Sequence, residues 1–230
     1  MVARIKAYRA PDNVETSLRY ADGHRKVLEA YGVKKVTSSS YDWLEDPNTY
    51  VIIVESEDGS RIFGGTRVQV RSPKLNMPME GAIAKIDDTI YDYVNKIGDY
   101  NVAEFCGLFN SKEVAGYGIG SVYLGRTAMA ISSMVGIKYL MGLCSPITLV
   151  ISQRIGFEVL TDLGNNGTFY YPKEGLIATS LIARDLINLP LATPEEQEKI
   201  FSLRENPQQT VTENGRRGEL TIIYDIKQWD

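Results

Sequence analysis

Residues 101–157 restrict the fold more than any other stretch of the chain. An apolar strand-like run, Asn101–Asn110 (NVAEFCGLFN), carries a single acidic residue, Glu104. A turn with three glycines, Gly116-Tyr-Gly-Ile-Gly-Ser121, then opens a helix of small residues over roughly Ile119–Val135. A second apolar run, Gly136–Cys144, a helix begun by Pro146 and the pair Gly156-Phe157 complete the pattern. Strand, glycine-rich turn, helix and strand in that order leave unpaired backbone N–H groups at a helix N-terminus, where they suit phosphates.

The kind of phosphate site is narrowed by what surrounds the glycines. A nucleotide P-loop needs a lysine after its last glycine, and here Gly120 is followed by Ser121 and Val122. A dinucleotide fingerprint needs an acid ending the next strand, and Leu140–Cys144 has none. Two readings stay open: a diphosphate held by loop amides alone, or a turn that merely reverses the chain. Leu124, Ala128, Ile131 and Val135 form an apolar stripe that ordinary helix–sheet packing explains. It does not explain three alternate glycines at the helix start. Gly125, which costs a helix ~1 kcal/mol against alanine, suggests a close approach.

Composition closes off other classes. With 230 residues, 43% of them apolar, the chain can bury a sizeable core. It reads as one α/β domain over residues 1–184 with an extension of the same domain over 185–230. A net charge of −4 and no long basic run argue against a nucleic-acid partner. The start, MVARIKAYRA, has no apolar signal region, and no segment reaches the ~18–20 apolar residues of a membrane span, so a cytoplasmic location is expected. Cys106 and Cys144 then read as buried free thiols. One histidine, His24, leaves almost no raw material for a histidine-based metal site or a Ser-His-Asp triad, and no metal is expected. His24 lies among charged residues of a helix and reads as a surface residue.

The remaining elements follow from periodicity. Ala3–Arg9 reads as a strand and Asp12–Tyr31 as a helix, followed by a polar stretch at Thr37–Asp46. Thr49–Ser56 and Ile62–Arg71 read as a hairpin around Glu57-Asp-Gly-Ser60, the second arm wet on one face from Thr66 onward. Ser72–Gly81, with two prolines, reads as a loop, and Ile83–Lys96 as one helix striped by Ile83, Ile86, Ile90, Val94 and Ile97. Strands are expected at Phe157–Leu163, Thr168–Tyr171 and Leu176–Ala183, and a helix capped by Thr193 at Pro194–Arg204. Asn206–Gly218 reads as a polar loop before a last strand, Glu219–Ile226.

At Gly116–Ser121, the helix after it, the strand Ile137–Leu143, the helix Ile147–Arg154 and Gly156-Phe157, the chain resembles the core of the GCN5-related N-acetyltransferase superfamily. The superfamily pattern of Gln or Arg, two residues, Gly, one residue, Gly or Ala falls on Ala115, Gly118 and Gly120, so its first, polar position is absent. Gly65-Thr-Arg67, the proline loop, the helix at Ile83 and Glu104 resemble the branch of acyl-homoserine-lactone synthases and N-acyl amino acid synthases. That branch continues its glutamate as Glu-x-Ser-Arg, whereas here Glu104-Phe-Cys-Gly107 follows.

The resemblance implies an α/β (α+β) fold: a mixed, mostly antiparallel sheet flanked by helices and splayed between its fourth and fifth strands. It implies an N-acyltransferase carrying an acyl group from coenzyme A, or from an acyl carrier protein, to a small amine or amino-acid-like acceptor. The donor would lie on Leu108, Phe109, Ala115, Gly116, Gly118, Ile119, Gly120 and Ser121. A non-catalytic relative that binds acyl-CoA or another ligand is the alternative, and a homodimer is left open.

Chemistry assigns the other roles. The attacking amine must lose a proton, and Glu104 is the one acidic residue on its strand, so it is the expected base, the alternative being a glutamate turned to solvent at a strand edge. Burial would raise its pKa into a useful range. Strict alternation puts Glu104, Cys106 and Leu108 on one face, and Phe105, Gly107 and Phe109 on the other. Gly107 could mark a bulge that frees an N–H for the thioester oxygen. Ser152 stands where the superfamily often has a tyrosine acid. Because serine is a weak acid, Tyr117, Tyr123 or unassisted departure of the thiolate are alternatives. On the superfamily resemblance, in which the base's strand and the next one splay apart, Cys106, Leu108, Leu140, Gly142 and Cys144 would line a slot for an acyl chain longer than acetyl; alternatively they simply fill a core.

Overall fold

A computed structural model describes every residue except 34, 35, 99, 100, 216 and 230, with the backbone alone at 120 and 121. The strands are β1 (Val2–Arg9), β2 (Thr49–Ser56), β3 (Ile62–Val70), β4 (Val102–Asn110), β5 (Tyr139–Cys144), β6 (Glu158–Val159), β7 (Thr168–Tyr170), β8 (Ile177–Ala183), β9 (Thr210–Gly215) and β10 (Gly218–Ile226). The α-helices are α1 (Val14–Ala30), α2 (Pro78–Ile83), α3 (Thr89–Ile97), α4 (Leu124–Met134), α5 (Pro146–Arg154) and α6 (Pro194–Glu205). One sheet runs in the order β6-β8-β5-β4-β3-β2-β1-β10-β9, with β7 beside β8. Its pairs are antiparallel except β4 with β5 and β1 with β10. The sheet is therefore mixed and mostly antiparallel, flanked by helices on both faces.

The central strands are buried on both faces because each face has its own cover. On β2, Tyr50, Ile52 and Val54 join the core beneath α4, while Val51 and Ile53 pack with Tyr20 of α1 and Trp43. Met77, Met79, Ile83, Ile90 and Val94 form a further cluster over Val102, Met141 and Ile182. The C-terminal residues share the first core: Ile200 and Leu203 of α6, and Leu220, Ile222, Tyr224 and Ile226 of β10.

Four local expectations give way. The hairpin's second arm has no wet face, because Thr66, Arg67, Val68 and Gln69 are all buried. The Trp43 ring lies over Arg67, 4.7 Å from the guanidinium carbon, and seals that side. The loop Ser72–Gly81 contains the start of α2, with Pro78 in its first turn. The single helix over Ile83–Lys96 is two. Asp87 accepts a hydrogen bond from the Thr89 N–H (3.2 Å), which starts a new helix and leaves Ile86 exposed. The polar loop Asn206–Gly218 carries β9, an edge strand whose exposed and half-buried residues alternate, so it lacks the apolar signature of an inner strand.

Candidate functional site

The site begins with a defect in β4. Pairing with β3 matches Gly65 to Phe109 and Arg67 to Cys106, so Gly107 and Leu108 oppose Thr66 alone. This is a β-bulge, and Gly107 sits at φ +63°. A Cβ there would lie 2.2 Å from the Tyr20 hydroxyl oxygen, so glycine is required by space as well as by conformation. Side chains hold the bulge from both sides. The Tyr20 hydroxyl donates to the Gly107 carbonyl (2.9 Å), and the Thr66 hydroxyl donates to the Cys106 carbonyl (2.8 Å).

The bulge changes which side chains share a face. Leu108 joins Phe105 against the α4 core, and Phe109 joins Glu104 and Cys106 on the α1 side. Strict alternation had these two residues exchanged; the extra residue at Gly107 reverses the pattern beyond it.

Beside the bulge, the sheet opens. Parallel pairing of β4 with β5 runs from Val102–Tyr139 to Phe105–Gly142 and stops. A cavity of about 630 Å³ lies past that point, bordered by Cys106 and Leu108 of β4, Cys144 of β5, and Ser152 of α5. Gly142 also lines it, and a Cβ there would lie 3.1 Å from the Phe105 carbonyl oxygen. The fourth and fifth strands are thus splayed, as anticipated. Of the slot residues expected from the sequence, Leu140 lies elsewhere, in the core under α4.

Glu104 lines this cavity while buried to 3% exposure. Its Oε2 accepts the Met79 N–H (2.7 Å) in the first turn of α2. Burial pushes its carboxyl pKa up to about 8; the Met79 N–H and the Arg67 charge oppose the shift, and Glu80 adds to it. Arg67 donates to Gln69 Oε1 (3.1 Å) and to the Ser38 carbonyl (3.0 Å), which ties β3 to the short turn Thr37–Ser39. Ser152 also lines the cavity, and its hydroxyl donates to the Thr148 carbonyl (3.1 Å) one turn back. Of the tyrosines, neither Tyr117 nor Tyr123 borders this cavity; Tyr171 does, and its hydroxyl pairs with Thr37 Oγ1 (2.9 Å).

The glycine turn packs against both β4 and α5. Gly116 and Gly118 have φ of +88° and +81°. Ile119–Tyr123 form one wide, π-type turn that runs straight into α4. Ile119 is anchored in the core by its side chain, Ala115 is exposed, and nothing is described of the side chain of Ser121. Phe109 turns its ring to Tyr20 and His24, away from the cavity, while Leu108 faces it. On the turn's outer flank, an open cleft of about 750 Å³ is edged by Tyr117, Arg61 and Arg217. Both cysteines are free thiols on the wall of the inner cavity.

One reading from the sequence is overturned. His24 is 7% exposed, not a surface residue, and lies on the cavity wall. It continues the inward stripe Ser17, Tyr20, His24 of α1, a spacing of three and four that was visible in the sequence. Among the described residues, no three His, Cys, Asp or Glu side chains converge as a metal site would require, and no helix is long and apolar enough to cross a membrane.

At the level of sequence, no protein-family profile and no curated protein matches the chain. Solved structures do match. The N-acyl amino acid synthase FeeM from uncultured soil microbes superposes with a TM-score of 0.62 at 15% identity, covering 85% of this chain and 97% of FeeM. The CoA-dependent acyl-homoserine lactone synthase BjaI, solved with SAM and isopentyl-CoA, gives 0.58 at 11%, covering 99% of this chain and 95% of its own. A second such synthase, MesI, gives 0.55 at 12%, with coverages of 88% and 95%. The fold is GCN5-related N-acetyltransferase-like and resembles that of the acyl synthases.

Proposed function

We propose that the chain is an N-acyltransferase that moves an acyl group from a coenzyme A thioester to the amine of a small acceptor. The observation that carries this reading is the buried carboxyl of Glu104 at the mouth of an apolar split between two parallel strands. A pantetheine-like arm fits that split, and the acyl carbon would then meet an acceptor held on the α1 side of the sheet. Coenzyme A as donor is favoured by the CoA-dependent synthases among the fold's neighbours.

In the step we infer, the acceptor nitrogen attacks the thioester carbon and Glu104 Oε1 takes the proton, directly or through one water. The carbonyl oxygen gains charge as the bond forms. The backbone from Gly107 to Phe109, past the end of the β4–β5 ladder, supplies N–H groups for it. The tetrahedral centre then collapses, the C–S bond breaks, and the amide leaves with its acyl group. A thiol titrates near ~8.5, so the coenzyme A thiolate can depart without a strong acid and take its proton from water. Ser152, already bonded to Thr148, is at most a donor to the departing sulfur. The amides of Gly116–Ser121 hold the diphosphate at the start of the long helix, with Ala115 and Ile119 framing the turn and Leu108 lining the arm's path.

Medium or long acyl donors suit the apolar wall of Leu108, Gly142, Cys144 and Phe157 better than acetyl. Each buried methylene favours binding by ~0.8 kcal/mol. One thiol-release assay tests the proposal, comparing acetyl- and octanoyl-CoA over a panel of amines. Turnover that is faster with octanoyl-CoA is expected. Release of no thiol with any donor and amine would overturn the enzyme reading in favour of a binding module, and a preference for acetyl would overturn the donor class.

A further inference from the structure

The mechanism above leaves His24, a buried polar side chain on the cavity wall, without a task. His24 stands one helical turn beyond Tyr20, whose hydroxyl fixes the bulge, and projects from α1 to the cavity that Glu104 also borders. Its ring is set by Phe109, with centroids 6.5 Å apart and planes at 41°. Gly23 permits that packing: a Cβ there would fall 2.6 Å from the Phe109 ring. Among the described residues His24 has no hydrogen-bond partner. Its ring nitrogens are not themselves sealed off, so a partner for them has to come from the cavity. Here the open side of the ring is the cavity.

The same wall carries further polar groups. Thr37 Oγ1 and Tyr171 Oη form a 2.9 Å pair, with Ser38 alongside, while Leu143, Ile147 and Ile177 give the cavity its apolar remainder. The polar side thus gathers on the α1 face, where the acceptor must enter if the donor occupies the strand split. Burial, with the positive charge of Arg67 behind it, lowers the His24 pKa to about 4. At neutral pH the imidazole is uncharged and can both donate and accept a hydrogen bond.

We propose that His24 orients the acceptor by hydrogen-bonding a polar group next to the reacting amine, so that preferred acceptors are small amines bearing a hydroxyl or carbonyl oxygen. This rests on the acyl-transfer reading for the site, and Glu104 remains the group that meets the amine itself. His24 is on this account a specificity-determining contact, separate from the chemistry.

The test compares an amino alcohol with the alkylamine in which a methyl replaces its hydroxyl. In His24→Phe the acceptor KM should rise about 5- to 10-fold for the amino alcohol and stay level for the alkylamine, as expected for loss of one hydrogen bond. KM for acyl-CoA should not move, and His24→Gln should recover part of the loss. His24 is the only histidine, so its imidazole proton resonance reports on the site directly. Saturating amino alcohol should shift that resonance in the unaltered protein, and the alkylamine should shift it less. Equal KM changes for the two amines, or a resonance that neither moves, would overturn the inference. If the resonance moves but no acyl transfer occurs, the acyl-transfer reading fails and the binding contact stands.

Discussion

Two clusters of buried charge in this molecule are built on opposite principles. Under α6, Arg126 is 2% exposed and meets Glu196 at 2.9 Å and Glu213 at 2.5 Å; Lys199 adds a second bond to Glu213 at 2.7 Å, and Arg154 reaches Glu196 at 3.3 Å. Each carboxylate there is answered by a cation. Burial alone would raise the Glu213 pKa, yet Lys199 and Arg126 bring it below its ordinary value. At the bulge the same desolvation wins. Glu104 has one backbone N–H for partner, Arg67 donates to Gln69 and Ser38 and leaves its Nη2 unpaired, and the carboxyl rises to about 8. Closed valences bind α4, α6 and β9 together; an open one faces a cavity. Ionic burial by itself marks no site, whereas burial left uncompensated on a cavity wall does.

The largest effect expected from this contrast is on rate. Glu104→Gln keeps the shape and the Met79 bond but cannot take a proton, so acyl transfer should fall by ~10²–10⁴ with donor affinity retained. In the parent protein kcat/KM should climb with pH and level off above about 8, where the carboxyl has ionised. Stability runs the other way. Between the ordinary value of 4.5 and about 8 the folded protein keeps a proton that the unfolded chain has lost, so stability declines as pH rises through that window. Below about pH 6.5 His24, whose pKa falls from 6.5 to about 4 on folding, imposes the opposite slope, so denaturant melts across pH 6.5–8 should show the decline in the parent and lose it in Glu104→Gln; an unchanged slope would place the proton elsewhere.

The closed cluster should answer in stability. Arg126→Met leaves Glu196 buried without its principal cation, and removing one member of such a pair costs about 3–5 kcal/mol. Chemical denaturation should register that loss, and Arg126→Met with Glu196→Leu together should recover much of it. A small loss in the single variant would mean that water reaches the cluster.

A third variant joins the two regions through the backbone. Gly107→Ala forces a methyl toward the Tyr20 hydroxyl at a positive φ, with a conformational cost of about 1–2 kcal/mol before the clash is counted. Melting and thiol release should fall together. A folded variant with full turnover would separate the bulge from the reaction.

What the sequence disclosed divides along similar lines. The hairpin β2–β3, the glycine turn and the strand carrying Glu104 were legible, since local periodicity and turn residues determine them. The buried face of β3 was not, because Arg67 and Gln69 look solvated until Trp43, from a separate stretch before β2, lies over the Arg67 guanidinium. The exchange of Leu108 and Phe109 required knowing that Gly107 carries a bulge, which the glycine hinted at without fixing its register. Asp87 hid a helix break inside a convincing apolar stripe. His24 was missed because its charged neighbours outweighed its spacing from Tyr20.

The smallest effect belongs to Ser152. It occupies the superfamily's usual acid position, and it borders the cavity, so a role in protonating the thiolate would be natural on placement alone. Its hydroxyl, however, already donates to the Thr148 carbonyl within α5, at 3.1 Å. A serine bonded back into its own helix has little proton to offer, and the coenzyme A thiolate leaves readily at the pH where Glu104 works. Ser152→Ala should therefore change the rate by no more than about 3-fold, the scale of a weak hydrogen bond at most, and should leave the pH profile in place. A drop beyond tenfold, with the alkaline limb of the profile altered, would make Ser152 the acid and would mean that its bond to Thr148 gives way when the donor binds.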